Sequence, residues 1–167
     1  MKNIEECANG RIETINRILF NPFDPEVIIN DVAHGLKHTC RFNGHITRFY
    51  DVGSHSVMVA EIMEYLELGD PMEGLLHDAA EAYIGDLPAP FKPFCPGFVA
   101  MEESIERVVR EAWDLPPVKS VGCKEADWLA LFIEAKALTP NKGMNIVDVY
   151  GIRRKAWDFP LLPWYPK

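Results

Sequence analysis

Positive charge is scarce in this sequence: 17 Lys and Arg stand against 25 Asp and Glu, a formal net charge of −8. Affinity for a long polyanion comes mainly from cations that neutralise phosphates, so this balance argues against binding long nucleic acid. A small anion held by one local cation or metal stays open. Long apolar runs are missing as well. No stretch approaches the ~20 residues of a membrane span, and Met1-Lys2-Asn3-Ile4-Glu5-Glu6 lacks a signal-peptide core, so the expectation is a cytoplasmic protein with no membrane partner. Cysteine is sparse and scattered at Cys7, Cys40, Cys95 and Cys123. Without a Cys-x-x-Cys pair, neither a zinc ribbon nor a redox motif is signalled, and four reduced thiols are expected. There is no internal repeat and no low-complexity segment.

What is present suits a single core. The chain has 167 residues, 48% apolar and 25% charged, which is ordinary for a globular protein and short for two domains. Its centre of gravity is the stretch Leu75-Leu76-His77-Asp78-Ala79-Ala80-Glu81-Ala82-Tyr83-Ile84-Gly85-Asp86. Asp70 before Pro71, with Glu73 three residues on, reads as a capping-box start, and Gly85 followed by Pro88 as a stop. The expected helix runs from about Pro71 to Ile84. Its apolar residues cover most of the circumference, so His77 and Asp78 face the core or something held within it. Glu81, four residues after His77 and three after Asp78, shares their face. A carboxylate pair beside an imidazole suits a metal, although a helical His-Asp pair alone is more often a hydrogen-bonded surface feature.

Residues 1–24 admit two readings: a hairpin turning at Asn9-Gly10, or a helical stripe of Ile12, Ile15, Ile18 and Leu19. A short helix is expected from about Asn30 with Val32, Ala33 and Leu36 inward. It carries His34 and His38, which without a third ligand nearby read as partly exposed imidazoles. Cys40-Arg41-Phe42-Asn43-Gly44-His45 reads as a loop. Arg followed by an aromatic ring can clamp a phosphate and a base, yet the residues alone equally describe a surface Arg beside a core Phe. The next helix is expected from Ser54 to Gly69, with His55 in register with Val59, Ile62 and Leu66 and hence inward. Leu87 to Gly97 is proline-rich and stiff, suited to one wall of a pocket. A helix from about Phe98 to Trp113 carries Met101, Ile105, Val108, Val109 and Ala112 inward, while Glu102, Glu103, Glu106, Arg107 and Arg110 read as a solvated face. The last helix, about Ser120 to Leu138, embeds Asp127 among apolar residues, where an unpaired carboxylate is costly; Asp127 is therefore a natural fourth ligand beside His55, His77 and Asp78. Residues 139–167 read as an irregular tail packed on the helices.

The set His55-Ser56, His77-Asp78, Glu81-Ala82, Gly85-Asp86 and Asp127 resembles the HD-domain metal-dependent phosphohydrolases, over a motif core of 41–127. Within them, Glu81 to Lys92 resembles the deoxyribonucleoside 5′-monophosphatase branch, which also includes phage dATP triphosphohydrolases. The resemblance implies an all-α fold: one HD domain over 1–167, a helical bundle with an irregular N-terminal segment and a C-terminal tail. It implies one divalent transition metal ion (Co, Mn, Zn, Fe or Ni) on His55, His77, Asp78 and Asp127, with additional Mg for a triphosphate substrate. It also implies a general acid/base pair at Glu81 and Asp86 and a phosphate-binding Arg41. Phe42 departs from the Trp of the monophosphatases at that position. A triphosphate would need further cations, for which Lys37, Arg48 and Lys92 are the candidates. A non-catalytic metal-stabilised module is the third expectation, disfavoured because it has no use for Glu81 and Asp86. Family members resemble dimers or larger rings, and the surplus of aromatic residues at Phe23, Trp113, Trp157 and Trp164 points the same way, to a homo-oligomer.

Overall fold

In a computed structural model of the chain, which describes residues 10–143, the fold is all-α. Six helices follow a small hairpin: α1 Ile29–His38, α2 Val52–Tyr65, α3 Pro71–Leu76, α4 Glu81–Ile84, α5 Pro96–Ala112 and α6 Val121–Leu138. Short 3-10 segments at Arg41–Gly44 and Ala89–Phe94 precede α2 and α5. The hairpin pairs β1 (Ile12–Glu13) antiparallel with β2 (Leu19–Phe20), Ile12 opposite Phe20. It turns through Thr14 to Ile18 with Arg17 at φ 63°, so the helical stripe does not form, and the expected turn at Asn9-Gly10 lies largely outside the described residues. The expected tail over 139–167 falls mostly outside the described residues, as do Cys7, Trp157 and Trp164.

α2 is the shared wall of the bundle. Its first residue, Val52, joins a core made by Phe20, Leu36, Leu76, Tyr83, Ile105 and Val109. Further along, Met58, Val59, Ile62 and Met63 form a second cluster with Cys123, Ala126 and Ala130 of α6. The helix begins at Asp51 rather than Ser54: the Asp51 carboxylate accepts from both the backbone N–H and the hydroxyl of Ser54. α3 crosses α2 closely because Gly74 has no side chain; a Cβ there would lie 3.0 Å from the Ala60 backbone. In the first core the Phe20 and Tyr83 rings stack at 3.9 Å, and the Tyr83 hydroxyl accepts from the Ile28 N–H.

The single helix expected from Pro71 to Ile84 is divided. Regular α geometry stops at Leu76, and through His77–Ala80 the backbone bonds tighten to three-residue spacing, including Glu81 N–H to Asp78 O and Tyr83 N–H to Ala80 O. The cause is His77 itself: its ring nitrogen Nδ1 donates to the Gly74 carbonyl at 2.7 Å and occupies an acceptor of the helical ladder. Tightening eclipses residues three apart, which sets Asp78 above Glu81.

Three more expectations are corrected. Ala33 is exposed, and the buried residue in that turn of α1 is Asp31, whose Oδ1 accepts from the backbone and side-chain N–H groups of Asn16. Trp113 packs partly buried against the first core, whereas Phe23 is exposed. Arg110 does not belong to the solvated face of α5. It is 5% exposed and donates to Glu73 Oε1 and to the Pro116 carbonyl. Glu73, 2% exposed, also accepts from the backbone N–H and hydroxyl of Ser120, the residue whose Oγ caps α6. Burial works against the Glu73 carboxylate, but Ser120 and Arg110 together hold it below the usual range.

One carboxylate thus ties α3, α5 and the start of α6. Removing one partner of a buried ion pair strands the other, typically at ~3–5 kcal/mol. Glu73→Ala is expected to lower the free energy of unfolding by about that amount, measured by urea denaturation; a loss under ~1 kcal/mol would mean that Arg110 finds water instead.

Candidate functional site

The helices bring four atoms with lone pairs to one place. His55 Nε2 from α2 lies 3.1 Å from Asp127 Oδ1 of α6 and 3.7 Å from Asp78 Oδ2. His77 Nε2 lies 3.0 Å from Asp78 Oδ2 and 3.7 Å from Asp127 Oδ1. His55, His77 and Asp78 form a compact ligand group with donor atoms within 4.8 Å of one another, and Asp127 reaches both imidazoles from the opposite helix. Ligands held at ~2.1 Å from a common cation sit roughly 3.0–3.4 Å apart, near the separations here.

The far side of each ring decides what the near side offers. His55 Nδ1 meets Glu134 Oε1 at 2.7 Å and His77 Nδ1 meets the Gly74 carbonyl at 2.7 Å, both acceptors, so each Nδ1 carries a proton and each Nε2 points inward, where the neutral ring offers its lone pair to a cation. His77 Nε2 makes no hydrogen bond of acceptable geometry despite its short distance to Asp78. Burial pushes the His77 imidazole down, but Asp78 and Asp127 outweigh it and raise the ring to about 10. His55 moves up as well, with burial and Arg41 opposing and Glu134 and Asp127 prevailing. The donor set, two imidazoles whose Nδ1 atoms are held by acceptors together with two carboxylates, fits a divalent ion. The Asp127 side chain, 41% exposed, marks the side open to solvent.

Around this centre lies a charged layer. Arg41 Nη2 donates to Glu134 Oε2 at 3.2 Å, Nη1 lies 4.0 Å from Asp78 Oδ2, and the buried Nε has no partner. Burial disfavours the guanidinium, but Glu134, Asp78, Glu81 and Asp86 keep it charged. Its position is fixed by the backbone: Arg41 N–H donates to the Tyr50 carbonyl beside a bridge from Cys40 to Asp51 at the start of α2. Phe42 follows with φ 56°, an uncommon conformation for a bulky residue, which sets its ring 5.6 Å from the Arg41 guanidinium carbon. Glu81 is 5% exposed with Oε2 unpartnered, and burial, then Asp78 and Asp86, push its carboxyl well above the usual range. Burial also raises Asp86, despite Arg41.

The predicted residues therefore converge: His55, His77, Asp78 and Asp127 at the centre, with Arg41, Phe42, Glu81, Asp86 and Lys92 around them. Lys92 donates to Glu102 at 2.6 Å and feels the charges of Glu81 and Asp78. Lys37 does not join them; it pairs with Asp51 at 2.7 Å, its side chain 64% exposed. Arg48 is exposed, and His34 and His38 stack at 4.3 Å on the exposed side of α1. Two residues escaped sequence reasoning. Lys119 lies 3.4 Å from Asp78 Oδ1 and 3.2 Å from Glu106. Glu134 is fully buried, and its signal was available: it stands seven residues, two helical turns, after Asp127 on an apolar helix. The charge run of α5 is not idle either, since Glu102 and Glu106, one turn apart, each hold one of the site lysines. A groove of about 760 Å³ opens elsewhere, between Ile29, Leu36, Tyr50, Val57 and Leu75, and contains neither imidazole. The cluster of imidazoles and carboxylates lies apart from it.

No family model matches the chain. It is 42% identical over 118 residues to the uncharacterized protein YfdR of Escherichia coli, a match covering 71% of this chain and 65% of that protein. An uncharacterized protein of Rhodobacter capsulatus is 31% identical over 132 residues, covering 72% of this chain and 67% of that one. The chain belongs to the family of these two proteins. It spans about two thirds of the length of each of its relatives. No helix among the described residues is long and apolar enough to cross a membrane.

The cluster generates a direct expectation for metal binding. Protein stripped with chelator should take up one Co²⁺ per chain and melt higher with it, since a ligand present at 100 times its Kd adds about 2.7 kcal/mol. Calorimetric titration showing no uptake, with an unchanged melting temperature, would sink the metal reading of the site.

Proposed function

We propose that this protein is a metal-dependent phosphohydrolase of the HD-domain kind that removes phosphate from deoxynucleoside 5′-monophosphates. The observation that carries the reading is the inward convergence of His55 Nε2, His77 Nε2, Asp78 and Asp127 with two further carboxyls beside it that ligation does not need. The resemblance narrows the substrate to deoxynucleotides; the geometry speaks to the phosphate end.

Hydrolysis forms a bond from a water oxygen to phosphorus and breaks the ester P–O bond, one proton leaving the water and one reaching the departing alcohol. His55, His77, Asp78 and Asp127 would hold a divalent ion, which would supply Lewis-acid polarisation of a phosphoryl oxygen and a water of lowered pKa. Arg41 supplies charge and the unpartnered Nε donor for a phosphate oxygen. Glu81 and Asp86, both with carboxyls raised above the usual range, share the acid and base roles between them. Phe42 offers a flat apolar face beside Arg41 for the rest of the substrate.

Charge balance favours a monophosphate. Each cation near the centre is already matched: Arg41 by Glu134, Lys92 by Glu102 and Lys119 by Glu106. Such a site suits a phosphate dianion better than the ~4 charges of a nucleoside triphosphate. Triphosphate release from a dNTP is the second reading, and it requires Lys92 and Lys119 to leave their α5 carboxylates and turn to the substrate.

Product analysis separates the readings. With Mn²⁺ or Co²⁺ the expected products from deoxynucleoside monophosphates are inorganic phosphate and nucleoside; triphosphate released from a dNTP would transfer the assignment to the second reading, and no product from any nucleotide would end both. Two variants divide the chemistry. Glu81→Ala is expected to keep the ion and lose about 10²- to 10⁴-fold in rate, the usual worth of general acid/base assistance. Asp78→Ala is expected to lose ion, stability and turnover together. Metal content and turnover measured on the same preparations check both; equal metal loss in the two would make Glu81 a ligand.

A further inference from the structure

We infer that Glu134 is a positioning residue that makes one unit of the inward imidazole of His55 and the guanidinium of Arg41. This deepens the proposed function and rests on it. The two oxygens of one carboxylate are divided between two donors from different parts of the chain: Oε1 accepts from His55 Nδ1 at 2.7 Å and Oε2 from Arg41 Nη2 at 3.2 Å. Glu134 is 0% exposed, so water does not compete for either oxygen. Burial and the charge of Glu134 raise the Tyr50 hydroxyl above the usual phenol range, and the Tyr50 carbonyl anchors the Arg41 backbone.

Each bond fixes what its partner presents to the site. Holding His55 Nδ1–H turns Nε2 toward Asp127 and Asp78, and holding Arg41 Nη2 leaves Nη1 near Asp78 and Nε without a protein acceptor. α6 thus brings a ligand at Asp127 and, two turns later, the group that aims a second ligand and the anion clamp. Only a carboxylate can do both, because both partners are donors and an amide offers one acceptor and one donor. Glu134→Gln keeps the shape and must fail one of the two.

The test uses the full chain, stripped of metal, with Co²⁺ and inorganic phosphate as probes. Calorimetry is expected to show Glu134→Gln binding Co²⁺ about 10- to 100-fold more weakly than wild type, the usual cost of losing the group that orients a ligating histidine, together with weaker phosphate affinity. On an Arg41→Ala background, Glu134→Gln should no longer change phosphate affinity while still weakening Co²⁺ binding. If Glu134→Gln does not fold, Glu134→Asp keeps the charge with a shorter arm and is expected to show the same two losses in smaller measure. A folded variant with wild-type affinities for both probes, or one that only melts lower in the metal-free state, overturns the inference. Wild-type protein that takes up no Co²⁺ overturns it together with the metal reading. Wild-type protein that binds Co²⁺ and phosphate but hydrolyses no nucleotide ends the phosphohydrolase proposal alone, and the Glu134 variants still decide the positioning role.

Discussion

Compensating charge in a buried place is the constraint around which this molecule is arranged. Two aspartates and two histidines from three elements meet with their inward atoms 3.0–3.7 Å apart, both imidazoles buried. An isolated buried charge is far too costly to keep, so every neighbour is drawn into balancing it. Arg41 and Lys119 flank Asp78, Glu134 backs His55, and α5 balances the lysines in turn. The layer of charge is therefore ordered from the centre outward, each group answering the one inside it.

Holding such a centre requires rigid walls, and the apolar packing supplies them. α2 contributes to both core clusters and to the site, so its position is determined from three sides. The close crossing at Gly74 brings α3 near enough for His77 to face His55, their ring centroids 5.2 Å apart. The same glycine gives its carbonyl to His77, and the break in the helix at that point places Asp78 and Glu81 on one side. Local geometry that departs from a regular helix is thereby used to aim three functional groups.

Much of this was legible. The cap at Asp70, the stop at Gly85 and the inward register of His55 follow from side-chain chemistry acting over a few residues, and the structure has them so. Asp127 was legible because a carboxylate in an apolar helix has to find a partner. The same rule, applied to every acidic position of α6, reaches Glu134; attention to the neighbouring Leu131, Phe132 and Ile133 hid it. Arg110 was misplaced for the opposite reason. Helical periodicity groups it with Glu103, Glu106 and Arg107, and only the approach of α3 and the Pro116 turn puts that edge of α5 under cover.

By itself the sequence determined the all-α character, most helix ends and the inward-facing imidazoles of His55 and His77, because helix ends and apolar stripes are properties of short stretches in which every relevant contact is within a turn or two. Pairings across the chain were decided by tertiary structure alone. That Glu134 serves both His55, 79 residues away, and Arg41, 93 residues away, and that Glu102 and Glu106 hold Lys92 and Lys119, depend on which helix faces cross and how closely. No spacing along the chain encodes those distances. They arise when packing sets two surfaces against each other and leaves the charges between them to find partners.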